Sequence, residues 1–543
     1  MKIDLILRNG HVWTMGEPGR THALGVLGGR IVAVGDEATG LEADRVVDLG
    51  GRTVVPGFHD AHAHTGRFGL GLTQLNLSDA TSLDDIYQRV VRRAADLPNG
   101  AWLIGHSYEP AGYGGGHPRR ADLDRIAPAH RVWLKHRSEH MGVGNTLVLE
   151  DAGVFGIDQV RGGIIERDGA GEPTGLLQEQ AQALVNDLLV PVAVRELVEA
   201  IGAAHQRYVA EGLVACQEAG IGGGWIGLSP VELAAYQTAL REGKLRVRTT
   251  LMPAYETLRE LNGHDTDELE LGLDLGLTTG LGDPMLRLGA VKIFADGALA
   301  SRTAAMTDEF SNEPGNRGVL QLEPEELRDR IIGAHRSGWQ VATHAIGDRA
   351  VGLVIDAYRE ALTRWPRSDA RHRIEHCSVT TPEHVSALAE LGVVPVLQNY
   401  FIHTLGDAVL ANVGPQRRDW VYRLQSLLAA GIPAAGSSDR PVADGAPLKA
   451  IQRMLTRRTA DGQVFSPHEA VSFEDALRCY TVNAAHSAFL EHQLGTLTPG
   501  KLADAVVLAE DPTAVPTDSL DQIGIAATII GGQPAHDPDA LLG

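Results

Sequence analysis

The chain has 543 residues, 43% hydrophobic and 22% charged, the balance of a globular protein rather than a disordered one. Its 48 basic and 69 acidic residues leave a net charge of −21, which repels phosphate backbones and argues against a nucleic-acid partner. No apolar run approaches the roughly 18 residues that cross a bilayer. Met1-Lys2-Ile3-Asp4 starts no apolar signal core, and Cys216, Cys377 and Cys479 are too few and too far apart for a disulfide framework or a thiolate zinc site. A cytoplasmic protein without a membrane partner is the expectation.

Residues 1–57 read as short strands and tight turns. Lys2–Arg8 is followed by Asn9-Gly10, and Leu24–Leu27 and Ile31–Val34 flank Gly28-Gly29-Arg30 as a hairpin. Val46–Leu49 and Thr53–Val55 follow. This is too little chain for a good core by itself. The far end supplies a partner: Lys501–Leu508 and Ala526–Ile530 are again strand-like. Residues 1–57 and 494–543 are therefore expected to build one composite β-sandwich.

The middle, residues 58–493, alternates. Strand-length apolar runs occur at Val54–His64, Gly212–Glu218, Leu245–Met252, Leu288–Phe294, Gln340–Ala345, Arg373–Cys377, Val393–Gln398 and Pro433–Ser437. Helical patterns such as Pro382–Leu391, with Val385, Leu388 and Leu391 in step, lie between them. Eight such units predict an α/β chain with a TIM-like (β/α)8 barrel. The long gap after the first strand predicts an inserted subdomain at about residues 66–205.

The strongest local signal is Pro56-Gly57-Phe58-His59-Asp60-Ala61-His62-Ala63-His64. Residues i and i+2 of a strand project to one side, so His62 and His64 can reach one metal ion. A chance His-rich turn is the plainer alternative. Lys292, His344, His376 and Asp439 stand at the ends of later strands, where barrel enzymes build their sites. Any one of them alone reads as well as a satisfied buried polar group.

This ordered set resembles the metal-dependent amidohydrolase superfamily, and within it the YtcJ-like group that includes N-substituted formamide deformylases. The matching stretches are Val54–Phe58, Val291–Arg302 with Asp296-Gly297, His344–Ala350, Ile374-Glu375-His376 and Gly495–Asp504. Three features depart from the group: Ser138-Glu139-His140, Gln398-Asn399, and histidines at positions 59 and 106. They bear on the substrate rather than on the fold.

The resemblance implies that His62, His64 and Asp439 hold one divalent metal, and His344 and His376 a second. Zinc is the foremost choice, although manganese, iron and cobalt suit the same ligands. An ammonium cannot be a ligand. A neutral Lys292 amine can instead take up carbon dioxide, and the resulting carbamate would bridge two metals. The plainer alternative pairs Lys292 with a carboxylate such as Asp296 above a single metal. The activity implied is hydrolysis of a non-peptide C–N bond of a small molecule, of the amide or N-formyl type. A metal-bound hydroxide would attack, and Asp439 would carry the proton to the leaving nitrogen. His140, Asp296 and Arg302 are the expected substrate-binding residues. Trp102, Tyr108, Tyr113 and Trp133 read as a lid or, more simply, as core, and Gly114-Gly115-Gly116 as a hinge or a loop. The related proteins are often homo-oligomers. Single-metal deamination and a catalytically silent scaffold are the rival readings.

Overall fold

The computed structural model describes residues 2–543 apart from 111–115, 138–140, 161–162, 225, 265 and 267–268. The chain divides into two compact units, one of Met1–Thr65 with His205–Gly543 and one of Gly66–Ala204. No helix among the described residues is long and apolar enough to cross a membrane.

The first unit contains two β-sheets built from the chain's ends. One has four strands, with Lys2–Arg8 paired antiparallel to Leu24–Leu27 and parallel to Glu42–Asp48. The other is mixed and has six. In it Thr53–Pro56 pairs antiparallel with Ala505–Leu508. Leu5, Leu7, Val26, Val54, Leu497, Val507 and Ile529 from both ends share one buried apolar cluster. The ion pair of Arg248 with Asp504 ties this assembly to a parallel strand. Both side chains are buried, with Nε–Oδ2 at 2.6 Å and Nη2–Oδ1 at 2.9 Å. Asp504 Oδ1 also accepts the Gly531 amide at 2.7 Å.

The parallel strands of this unit form two open sheets rather than one continuous closed ladder. The first joins Phe58–Ala63, Leu213–Ile221, Arg248–Pro253 and Leu286–Leu288. The second joins Val291–Phe294, Val341–Ala345, Arg373–His376, Val394–Leu397 and Ala435–Gly436. Two expected strands are each split. Val54–His64 breaks at Gly57, where a Cβ would lie 2.3 Å from Val214 Cγ1. Thr53–Pro56 therefore stays in the composite sheet while Phe58–Ala63 enters the parallel one. Leu288–Phe294 breaks at Gly289, whose amide turns to the Leu251 carbonyl at 2.7 Å. A bridge from Ala254 to Lys292 continues past that break.

The helices follow their sequence signals. Pro382–Leu391 starts at Thr381, whose hydroxyl accepts from the His384 amide, and stops at Gly392 in the left-handed region (φ 63°).

The second unit holds a six-stranded mixed sheet in which Trp102–Tyr108 and Arg131–His136 are parallel neighbours. Helix Leu83–Ala95 is capped by Ser82 and carries Asp84 and Asp85 at its start and Arg92 and Arg93 at its end, complementing its dipole. Tyr108 and Trp133 are fully buried in the apolar clusters of this unit and Trp102 packs beside Trp133, so all three serve as core. Tyr113, Gly114 and Gly115 lie outside the described residues.

Breaking a buried ion pair by removing one partner costs about 3–5 kcal/mol. Asp504→Ala is expected to lose stability on that scale, read as a fall in the midpoint of urea unfolding. A midpoint unchanged from the parent would refute this anchoring of the C-terminal strands.

Candidate metal centre

Asp439 is held at the end of the Ala435–Gly436 strand in the left-handed region (φ 56°), where a non-glycine residue is costly unless its surroundings enforce it. Here they do. The Asp439 amide donates to the His62 carbonyl at 2.8 Å, and the His64 amide to the Arg440 carbonyl at 2.9 Å. Asp60 Oδ1 accepts the amides of His62 and Ser438, both at 3.1 Å, and its Oδ2 accepts from the Ser438 hydroxyl.

This seam puts Asp439 Oδ1 3.3 Å from His62 Nε2 and 3.0 Å from His64 Nε2. The ring centroids of His62 lie 5.3 Å from His64 and 5.0 Å from His376, and those of His344 and His376 are 4.4 Å apart. One donor atom each from His62, His376 and Asp439 falls within 4.8 Å of the others. His376, like Asp439, has a left-handed backbone (φ 70°). Strict alternation would send it to the opposite face from Glu375, and the local turn breaks that alternation.

Burial decides the protonation states. It lowers the His64 imidazole to about 4 and the His344 imidazole to about 3, and it holds His376 well below the ordinary value with help from neighbouring His344. Neutral imidazole is the form that ligates a metal. Burial alone would raise Asp439, but the neighbouring His62 and His64 outweigh it and keep the carboxylate well below its usual range. Lys292 is 1% exposed and its Nζ makes no hydrogen bond. Burial brings it down to about 8 against the pull of Glu375 and Asp439. The donors fit a divalent cation: nitrogen and carboxylate oxygen, neutral rings, one anion, and a buried His62 Nε2 without a hydrogen bond.

Six of the sequence-predicted residues thus gather: His62, His64, Lys292, His344, His376 and Asp439. Within the cluster, His344 Nε2 is turned to the Gly297 carbonyl at 3.0 Å and lies 3.5 Å from Asp296. Asp296 itself is 1% exposed and accepts the amides of Ala305 (2.9 Å), Ile346 (3.0 Å) and Gly347 (2.8 Å). It clasps the loop after the fourth strand to the loop after the fifth. Burial raises its carboxyl to about 7 against those three amides. Gly347 is required by the clasp, since a Cβ there would lie 2.0 Å from the Ala305 carbonyl oxygen. Arg302 stands on the same loop with its side chain 40% exposed, paired with Glu313. His59 contacts Gln217 at 3.3 Å. His106, in the second unit, meets Ser107 Oγ at 3.0 Å and the Gly71 carbonyl at 3.1 Å. Glu139 and His140 lie outside the described residues.

Sequence reasoning gave no role to Glu375 and Glu218, and it set Gln398 among residues bearing on the substrate, whereas its side chain is taken up by His376 and Ser437. Glu375 accepts from His62 Nδ1, Gln398 Oε1 faces His376 Nδ1 at 2.7 Å, and Glu218 accepts the Thr65 amide at 2.6 Å. Their signal was present as charged or amide groups within otherwise apolar strand runs.

The model of the Amidohydrolase family matches residues 45–536. Protein LONG AFTER FAR-RED 3 of Arabidopsis thaliana is 33% identical over 98% of this chain and 91% of its own length. The YtcJ protein of Bacillus subtilis is 31% identical over 98% and 99%. The N-substituted formamide deformylase of Arthrobacter pascens is 30% identical over 97% of each. Among solved structures, an uncharacterized metal-dependent hydrolase from Pyrococcus horikoshii superposes with a TM-score of 0.77 at 25% identity, covering 95% of this chain and 99% of that one.

Burial, reinforced by Glu232, raises the Glu218 carboxyl from 4.5 to about 8. The folded state then binds more protons than the unfolded state between those values, so stability falls as pH rises through that window. Glu218→Gln is expected to flatten the fall, read as the melting temperature at successive pH values. A slope equal to the parent's would contradict it.

Proposed function

Because the chain belongs to the amidohydrolase family, we propose that it is a metal-dependent hydrolase that cleaves the C–N bond of a linear amide or N-formyl amine. The observation that carries this reading is the buried set of His62, His376 and Asp439 donor atoms beside a lysine without a hydrogen-bond partner. The name of the Arthrobacter relative supports an N-substituted formamide as the substrate class. We also infer that the two parallel sheets together make the expected (β/α)8 barrel. The Ala254–Lys292 bridge and the His62–Asp439 hydrogen bond support closure at the two seams.

His62, His64 and Asp439 would hold one ion, and His344 and His376 a second. Lys292 would join the two sets. Its amine, lowered to about 8, is deprotonated often enough near neutral pH to attack carbon dioxide. The new N–C bond gives a carbamate as a proton leaves, and the anion offers two oxygens. A bound divalent ion lowers the pKa of water toward about 7 and polarises an acyl oxygen. Asp439, kept as a carboxylate, accepts the proton of the attacking water and delivers it to the leaving nitrogen, which departs poorly as an anion. Water and the formamide become formic acid and a free amine. A silent scaffold would be expected to have lost some of these ligand types, and all six residues carry them, which favours catalysis.

The test is elemental analysis of protein purified with bicarbonate and no chelator, followed by amine release from N-alkyl and N-aryl formamides. About two divalent ions per chain are expected, and about one would favour a single-metal site with Lys292 as a bystander. Asp439→Asn should keep the fold and lose about 100-fold or more in kcat. A near-native rate would sink the proton-carrying role of Asp439.

A further inference from the structure

Glu375 and Arg373 stand two residues apart on one strand, on one face, and both are wholly buried. Arg373 grips the carboxylate at two points, Nε to Oε1 at 2.8 Å and Nη2 to Oε2 at 3.0 Å. That fork already satisfies the ion pair. Yet the guanidinium also crosses to the first parallel strand, where Nη2 donates to the Ala61 carbonyl at 2.7 Å, and to the second, where Nη1 donates to Gln217. Glu375 Oε2 meanwhile accepts from His62 Nδ1. An imidazole that donates from Nδ1 has its lone pair on Nε2. In His62 that nitrogen is buried, makes no hydrogen bond, and faces Asp439.

His376 offers the comparison within the same site. Its Nδ1 meets Gln398 Oε1, and Gln398 Nε2 donates to Ser437 Oγ at 2.9 Å, which fixes the amide with its oxygen toward the ring. Both rings are thus held as Nδ1–H tautomers. One outer partner is an anion and the other a neutral amide. A carboxylate withdraws the Nδ1 proton more strongly and leaves Nε2 the better electron donor.

We propose that Glu375, clamped by Arg373, is a positioning residue that fixes His62 as an Nε2 donor and makes it the stronger of the two rings toward a divalent cation. This rests on the metal-centre reading of the site. The Glu375–Arg373 couple does no chemistry on a substrate. It acts through His62, and Gln398 does the same for His376 with less effect.

The test uses full-length apo protein and Zn2+ alone, with affinity measured by competition against a chromophoric chelator. The absorption of the Co2+-loaded protein reports the ligand field. Glu375→Gln is expected to weaken Zn2+ binding about 10- to 100-fold and to shift the Co2+ bands. Gln398→Leu should weaken it less. Should Glu375→Gln fail to fold because Arg373 is left unpaired, the double variant Arg373→Met with Glu375→Leu removes both charges and is expected to show the same loss. A folded Glu375 variant whose Zn2+ affinity and Co2+ spectrum match the parent's, while His62→Ala loses the ion, overturns this inference and leaves the metal centre standing. If His62→Ala itself binds Zn2+ as the parent does, the metal-centre reading falls and this inference with it.

Discussion

The left-handed backbone at Asp439 is the constraint on which the centre depends. A non-glycine residue in that region costs of order 1–3 kcal/mol, and the fold supplies the compensation locally. The Asp439 amide is spent on the His62 carbonyl, the His64 amide on the Arg440 carbonyl, and the Asp60 carboxylate on both neighbouring segments. The same bonds that enforce the turn set the distance from Asp439 to the two histidines. Geometry at the site is therefore a property of the seam between the first and last parallel strands, not of the loop by itself. The short last strand, Ala435–Gly436, leaves room for that exchange of partners.

Electrostatics follow from the same packing. Bringing four histidines, a lysine and carboxylates into one buried volume is affordable only if most are neutral and the remaining charges are paired. Burial keeps His64, His344 and His376 neutral and brings Lys292 toward neutrality. Two anions survive. Burial would raise Glu375, but Arg373 and His62 hold its carboxyl far below the ordinary range, and His62 and His64 do the same for Asp439. His62 stands between the two carboxylates, with one on each ring nitrogen. It is the only ring of the cluster so placed among the described residues.

The sequence made some of this legible and hid the rest for physical reasons. The His62/His64 pair could be read because a two-residue strand period is strict. Lys292, His344, His376 and Asp439 could be placed because each is a polar residue in or just after a strand-length apolar run. The split of Val54–His64 could not be read, since the run is apolar on both sides of Gly57 and only the approach of Val214 makes the glycine a break. Asp296 and Arg302 looked alike as polar residues on a loop after a strand. The fold separates them: Asp296 is consumed by three backbone amides, while Arg302 pairs with Glu313 with its side chain partly exposed. Glu375 carries no signal of its own within Ile374-Glu375-His376, since strict alternation points it away from its neighbour. The turn at His376 is what brings both onto the same cluster.

That turn also bears on how the rings of the cluster are oriented. A histidine at a strand end retains rotation about two side-chain bonds and a choice of tautomer. Removing that freedom requires a group on a neighbouring strand, because the residue's own strand has ended. Gln398 does this for His376 from the end of the next strand, and Glu375 does it for His62 from the other parallel sheet, with Arg373 joining it to the carbonyl one residue before His62. Both orienting groups come from segments other than the one that carries the ring. Substitutions in the surrounding loops can therefore reshape what enters the site while the donor set keeps its geometry.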